Sequence, residues 1–137
     1  MDTAVDTTVE TVDVPSEFIN AYIVCARWSS TDGDGTPLDD DRFEMSDEAT
    51  AALESIAREF WVKNQDLLAS ARLVKARRES DRLKHLGHDL WLTQNGHGAG
   101  FWDGDWQEPE ATALDNAAKA LRSTELYTDE NGVIHTV

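Results

Sequence analysis

At 137 residues the chain has room for one hydrophobic core, since single cores typically occupy about 100 to 150 residues. Its net charge of −15 opposes approach to nucleic-acid backbones and anionic membrane faces, and favours basic protein surfaces, although a high-salt or high-GC source would favour the same acidity. A single cysteine, Cys25, excludes an internal disulfide and any multi-cysteine zinc site.

No apolar run is long enough for a membrane helix or a secretory signal, and the opening "MDTAVDTTVETVDV" is acidic. A soluble protein retained in the cell that makes it is the expectation. Residues 1–14 read as a flexible acidic tail, and 15–137 as a single α+β domain. In "PSEFINAYIVCARWSS", Pro15 and Ser16 supply a helix start. Phe18, Ile19, Tyr22, Ile23, Cys25 and Ala26 then recur at helical spacing, which places the Cys25 thiol in the core as an inert group.

The next stretch, "STDGDGTPLDDDRFEM", is a loop by its Gly, Pro and Asp content. A calcium-loop register begun at Asp32 fails at Pro37, where a glycine is needed, and at Phe43, where a bidentate glutamate belongs. Ser46 then caps a long helix with Asp47 and Glu48 in its first turn and a one-sided stripe from Leu53 to Ala71. From Arg72 to His85 the chain is basic, about +4 against about −19 elsewhere. This segment reads as an exposed helix, or an extension of the previous one, ended by Gly87 in a C-terminal role.

The stretch "GHDLWLTQNGHGAGFWDGDW" holds three of the five tryptophans and five of the eight glycines. The short β-rich runs "HDLWLTQ" and "FWDGDW", separated by a loop rich in glycine and asparagine, predict a β-hairpin with apolar members on both faces of its first strand. Gly96, Gly98 and Gly100 are expected to take positive φ or to allow a close approach. Such a turn can cradle an anion with its N–H groups, and Trp91, Phe101 or Trp102 can stack on a base. Trp91, Asn95, Gly96, His97, Gly98, Gly100 and Trp102 are therefore the candidate ligand-binding residues, although "GHGAG" lacks the Lys and Ser/Thr of a phosphate loop. The acid–base candidates His88, Asp89, His97 and Asp103 do not converge on this hairpin. No catalytic set, metal site or cofactor is assigned.

Beyond it, "EPEATALDNAAKALRS" is a short helix with Pro109 in its first turn, and "ELYTDENGVIHTV" is a second hairpin turning at "ENG". The expected fold is three or four helices packed on a small antiparallel sheet built from two hairpins.

Three blocks, "FINAYIVCARWSSTD", "GHDLWLTQNGHGAGFWDGDW" and "AAKALRSTELYTDENGVI", resemble a family of small uncharacterised proteins of tailed bacteriophages with a "GHDFWLTRNGHGAGFWD"-like core. Leu90 stands where relatives are expected to carry Phe, and Gln94 where they are expected to carry Arg. The family brings no activity or catalytic residues. The resemblance implies a phage accessory protein in the cytoplasm of an infected bacterium, binding a host or defence protein with a basic surface. Asp32, Asp34, Asp39, Asp40 and Asp41 are its candidate partner-binding residues. The alternative is a small-ligand or nucleotide-binding module at the glycine turn. Direct nucleic-acid contact has one candidate patch, Arg72, Lys75, Arg77, Arg78, Arg82 and Lys84.

Overall fold

The computed structural model describes residues 13–137, so the tail expected over 1–14 lies almost wholly outside the described residues. Helix α1 (Ser16–Trp28) runs as its periodicity predicts and buries Phe18, Ile19, Tyr22, Cys25 and Ala26. Val14, just ahead of it, is already part of the core. A loop closed by the Asp32 carboxylate, which accepts from the N–H groups of Asp34 and Thr36 at 2.9 Å, leads to the short strand β1 (Glu44–Met45).

Ser46 caps α2 (Asp47–Lys63), its Oγ accepting from Ala49 N at 3.0 Å, and Leu53, Ala57 and Phe60 carry the buried stripe. The single long helix expected here is broken. Asn64, at φ −123° and ψ 27°, separates α2 from α3 (Gln65–Ser70), and its side-chain amide donates at 2.9 Å to Phe60 O, the carbonyl that its backbone N–H also reaches.

Residues 71–78 form no helix, and α4 (Glu79–Gln94) runs straight through Gly87 to the end of "HDLWLTQ". The first strand of the expected hairpin is therefore helical. Of the eight buried members of α4, Leu83, Leu86, Gly87, Leu90, Trp91 and Gln94 recur at steps of three and four. The pattern escapes notice because two of its members are a glycine and a glutamine. Gly87 is small because α1 crosses there: a Cβ would run into the carbonyl of Phe18 and lie 2.9 Å from Tyr22 N. Gln94 is buried because its Oε1 accepts from Tyr22 Oη at 2.6 Å and its amide donates to Arg122 O at 2.9 Å.

The C-terminal glycine role belongs to Gly96. At φ 67° it follows the last residue of the helical hydrogen-bond pattern, with Gly96 N donating to Thr93 O and His97 N to Leu92 O, a Schellman motif. "FWDGDW" likewise forms turns. Only Trp106 makes a ladder contact, an isolated antiparallel bridge to Leu73. The tryptophans of this stretch divide between core and surface, with Trp91 and Trp106 buried and Trp102 exposed.

Helix α5 (Glu110–Lys119) and the hairpin of β2 (Leu126–Thr128) and β3 (Val133–Thr136) form as expected. The sheet differs from the two-hairpin expectation. It has order β1-β3-β2, with β2 antiparallel and β1 parallel to β3 in the register Glu44 to Val133. The described residues are thus α+β, with five helices and a small mixed sheet.

Cys25 sits in the α1 face of the core with no exposed surface. Burial, and then the charge of Asp89, push its thiol up to about 12. The native protein is expected to leave Cys25 unmodified by an alkylating reagent near neutral pH and to react fully in denaturant. Labelling of the folded chain at the denatured rate would contradict that placement.

Candidate functional site

Every side chain singled out in the glycine turn can be located. Trp91 is buried, with its indole donating to Ser29 Oγ at 2.8 Å, and His97 stacks over it with ring centroids 6.5 Å apart. Asn95 accepts from Thr124 N at 2.8 Å and donates to Trp91 O at 3.1 Å. Trp91, Asn95 and His97 share one shallow cleft of ≈ 420 Å³. Gly96, Gly98, Gly100 and Trp102 do not line it.

Positive φ occurs at Gly96, Gly98 and Gly100, as expected. Only Gly100 meets a close neighbour, Thr93. The backbone N–H groups of this segment are largely engaged: Gly96 and His97 on the end of α4, Gly100 on Asp103 Oδ2 at 3.3 Å, and Phe101 on Thr93 Oγ1 at 3.0 Å. Thr93→Val leaves the buried Phe101 N–H without an acceptor. It is expected to lower stability by about 1–3 kcal/mol in urea unfolding, while Thr93→Ser stays close to wild type. Loss at Thr93→Ser with Thr93→Val close to wild type would show that the methyl, not the hydroxyl, matters.

The acidic loop is partly occupied with its own closure. Asp32 holds the turn, and Asp40 accepts from Arg42 N at 3.0 Å and Arg42 Nε at 3.1 Å, which keeps its carboxyl below the ordinary range. Asp34, Asp39 and Asp41 are exposed. The parallel pairing of Glu44 with Val133 places the chain ahead of β1 and the chain ahead of β3 at the same end of the sheet. Asp39, Asp40 and Asp41 therefore share that end with Asp129 and Glu130, two acidic residues that the sequence reading treated only as a turn.

Arg72, Arg78 and Arg82 of the basic segment pair with the protein's own carboxylates, and of these only Arg82 is sheltered from solvent. Arg82 binds Glu79 through both carboxylate oxygens, at 2.6 and 2.8 Å, and the carbonyls of Leu68 and Ala71. Arg72 reaches Glu110 at 3.1 Å and Glu108 O at 3.0 Å, and Arg78 lies 3.9 Å from Asp81. Lys75, Arg77 and Lys84 are exposed. Lys75 and Arg77 line a second cleft, of ≈ 430 Å³, together with Asp81, His85, Asp103 and Asp105.

That cleft contains the densest chemistry. On α4, His85 and Asp89 are one turn apart on the same face. Opposite them, backbone bonds from Val74 N to Asp105 O (2.8 Å) and from Gln107 N to Arg72 O (2.9 Å) hold Asp105 and Trp106 in place. Trp106 Nε1 donates to Asp89 Oδ2 at 2.7 Å, and its ring meets His85 edge-on, with centroids 5.8 Å apart. His85 Nε2 lies 3.1 Å from Asp105 Oδ2 and 3.4 Å from Asp89 Oδ2. Burial pushes the Asp89 carboxyl up to about 6. The Trp106 indole and His85 pull against that shift, and Asp103 and Asp105 add to it.

Of the acid–base residues read from sequence, Asp89 alone belongs to this cluster. His88 projects elsewhere on α4, 6.0 Å from the Trp28 ring, with burial and then His85 lowering its pKa. His97 stands over Trp91, and Asp103 accepts from Gly100 N and Asp105 N. His85 and Asp105 were missed. Their signal was the four-residue spacing of His85 and Asp89, which has meaning only once residues 85–94 are read as helix. No protein-family model, curated protein or solved structure matches the chain.

Proposed function

We propose that the protein is a non-enzymatic phage accessory factor that binds a basic surface of a host or defence protein in the infected cell's cytoplasm, with nucleic-acid mimicry as one form of that contact. The observation that supports this reading is the gathering of Asp39, Asp40, Asp41, Asp129 and Glu130 at one end of the sheet, while Arg72, Arg78 and Arg82 face the protein's own carboxylates. A concentrated negative end steers a basic partner, and that attraction is screened by salt.

The test is capture from host lysate with the tagged chain and with a variant neutralised at Asp39, Asp41 and Glu130, which the fold does not use. A dominant partner held by wild type, weakened by salt and lost with the variant, is the expected result. A complex indifferent to both changes would sink the reading. A second reading, a small-ligand or nucleotide module, draws on the cleft shared by Trp91, Asn95 and His97. Tryptophan fluorescence that stays flat across a nucleotide panel would remove it, and a saturable change lost with His97→Ala would favour it over the first.

A further inference from the structure

His85, Asp89 and Asp105 present three ligand atoms, one nitrogen and two oxygens, that all lie within 4.8 Å of one another. It is the only such group of three among the described residues. In a tetrahedral site with metal bonds of about 2.0–2.2 Å, neighbouring ligand atoms stand about 3.4 Å apart. Of the edges from His85 Nε2, the one to Asp89 Oδ2, 3.4 Å, has that length, and the one to Asp105 Oδ2, 3.1 Å, is slightly shorter. The remaining edge, between Asp89 and Asp105, lies within 4.8 Å, and the half-exposed Asp105 side chain has room to adjust.

The surroundings favour a cation at this point. Asp89 is a buried carboxylate, its side chain 5% exposed, with Asp103 and Asp105 adding negative charge nearby. Buried charges are ordinarily paired or metal-bound, and an imidazole shared with a second carboxylate is a weak counter-charge for two acids. The Trp106 indole donates to the same Asp89 oxygen that faces His85, as outer-shell donors to ligating carboxylates do. The adjoining cleft, with Lys75 and Arg77 on its wall, leaves space for a water or an anion in a fourth position.

We propose that His85 Nε2, Asp89 Oδ2 and Asp105 Oδ2 bind a divalent first-row transition metal ion of the zinc type. The mixed donor set decides the class, because imidazole suits zinc, iron or nickel while magnesium and calcium prefer oxygen ligands alone. This site is independent of the acidic end of the sheet, and either reading can fail alone.

The experiment is titration of the full chain, first stripped with a chelator, with Co²⁺ followed by displacement with Zn²⁺. One equivalent of Co²⁺ with tetrahedral visible absorption, bleached by Zn²⁺, is expected. Asp105→Asn and His85→Gln are expected to weaken Co²⁺ at least about 10-fold, the smaller end of what loss of even an outer-shell partner does. Both residues are partly exposed, and unchanged thermal midpoints in the stripped state would verify that the variants fold. Asp39→Asn/Asp41→Asn serves as the control for loose binding to surface acids and is expected to leave the titration unchanged. Absence of Co²⁺ binding, or binding that survives at His85→Gln and Asp105→Asn but falls in the control, overturns the assignment.

Discussion

Replacing Gly87 by alanine is expected to destabilise the protein by about 3 kcal/mol, the upper end of what overpacking a tight core costs, even though alanine is the better helix former by about 1 kcal/mol. The two effects have opposite sign, which makes the substitution informative. Gly87 lies in the interior of α4, where intrinsic propensity argues for alanine. It also lies where α1 crosses, and α1 against α4 is the most extensive helix contact in the protein. A Cβ there meets backbone on α1, the Phe18 carbonyl and Tyr22 N, rather than the movable end of a side chain. The only relief is to push the helices apart, which loosens Phe18, Tyr22, Leu90 and Trp91 together. Urea unfolding of wild type and Gly87→Ala decides the matter. A variant as stable as wild type, or more so, would mean that the crossing is wider than described.

Trp106→Phe is expected to cost about 3 kcal/mol, and the cost should depend on the charge of its partner. Trp106 is 3% exposed, packs against Phe101 with centroids 6.0 Å apart, and donates to Asp89 at 2.7 Å. Phenylalanine keeps part of the packing and removes the donor. A hydrogen bond to a charged group contributes about 1.5–3 kcal/mol, and the smaller ring leaves a void that adds to the loss. In an Asp89→Asn background the acceptor is neutral, so the same replacement should cost about 1 kcal/mol less. Chemical denaturation of the four proteins of this cycle measures the coupling. Additive losses would show that the charge of Asp89 adds nothing to the bond with Trp106.

Both predictions come from the region where the sequence was read least well. The short apolar run in "HDLWLTQ" resembles a strand because Leu90, Trp91 and Leu92 are consecutive, and a seven-residue window cannot separate that pattern from a helix. Extending the window back to Leu83 restores the three-and-four spacing, provided Gly87 and Gln94 are counted as core positions. Nothing local gives them that status. Gly87 is buried because another helix lies on it, and Gln94 because Tyr22 and the Arg122 carbonyl complete its hydrogen bonds.

The turn glycines show the same division. Positive φ at Gly96 follows from residue type, but whether it closes a hairpin or ends a helix depends on the structure preceding it. Of the candidate site residues, Asp89 was legible as a carboxylate beside histidine. Its partners His85, Asp105 and Trp106 were not, because their meeting requires the pairing of residues 72–74 with 105–107.

The sequence by itself determined the elements whose signals are local. These are the amphipathic stripe of α1, the Ser46 cap and stripe of α2, the short helix after Pro109, the C-terminal hairpin at its Asn-Gly turn, and the charge balance. Periodicity, capping and turn chemistry act within a few residues and can be read there. Tertiary structure decided the rest: the helical state of residues 88–94, the parallel strand that joins two acidic loops at one end of the sheet, and the meeting of His85, Asp89 and Asp105. Each depends on contacts between segments distant in the chain, and the energy of such contacts overrides local preference wherever a core or a buried charge is completed by them.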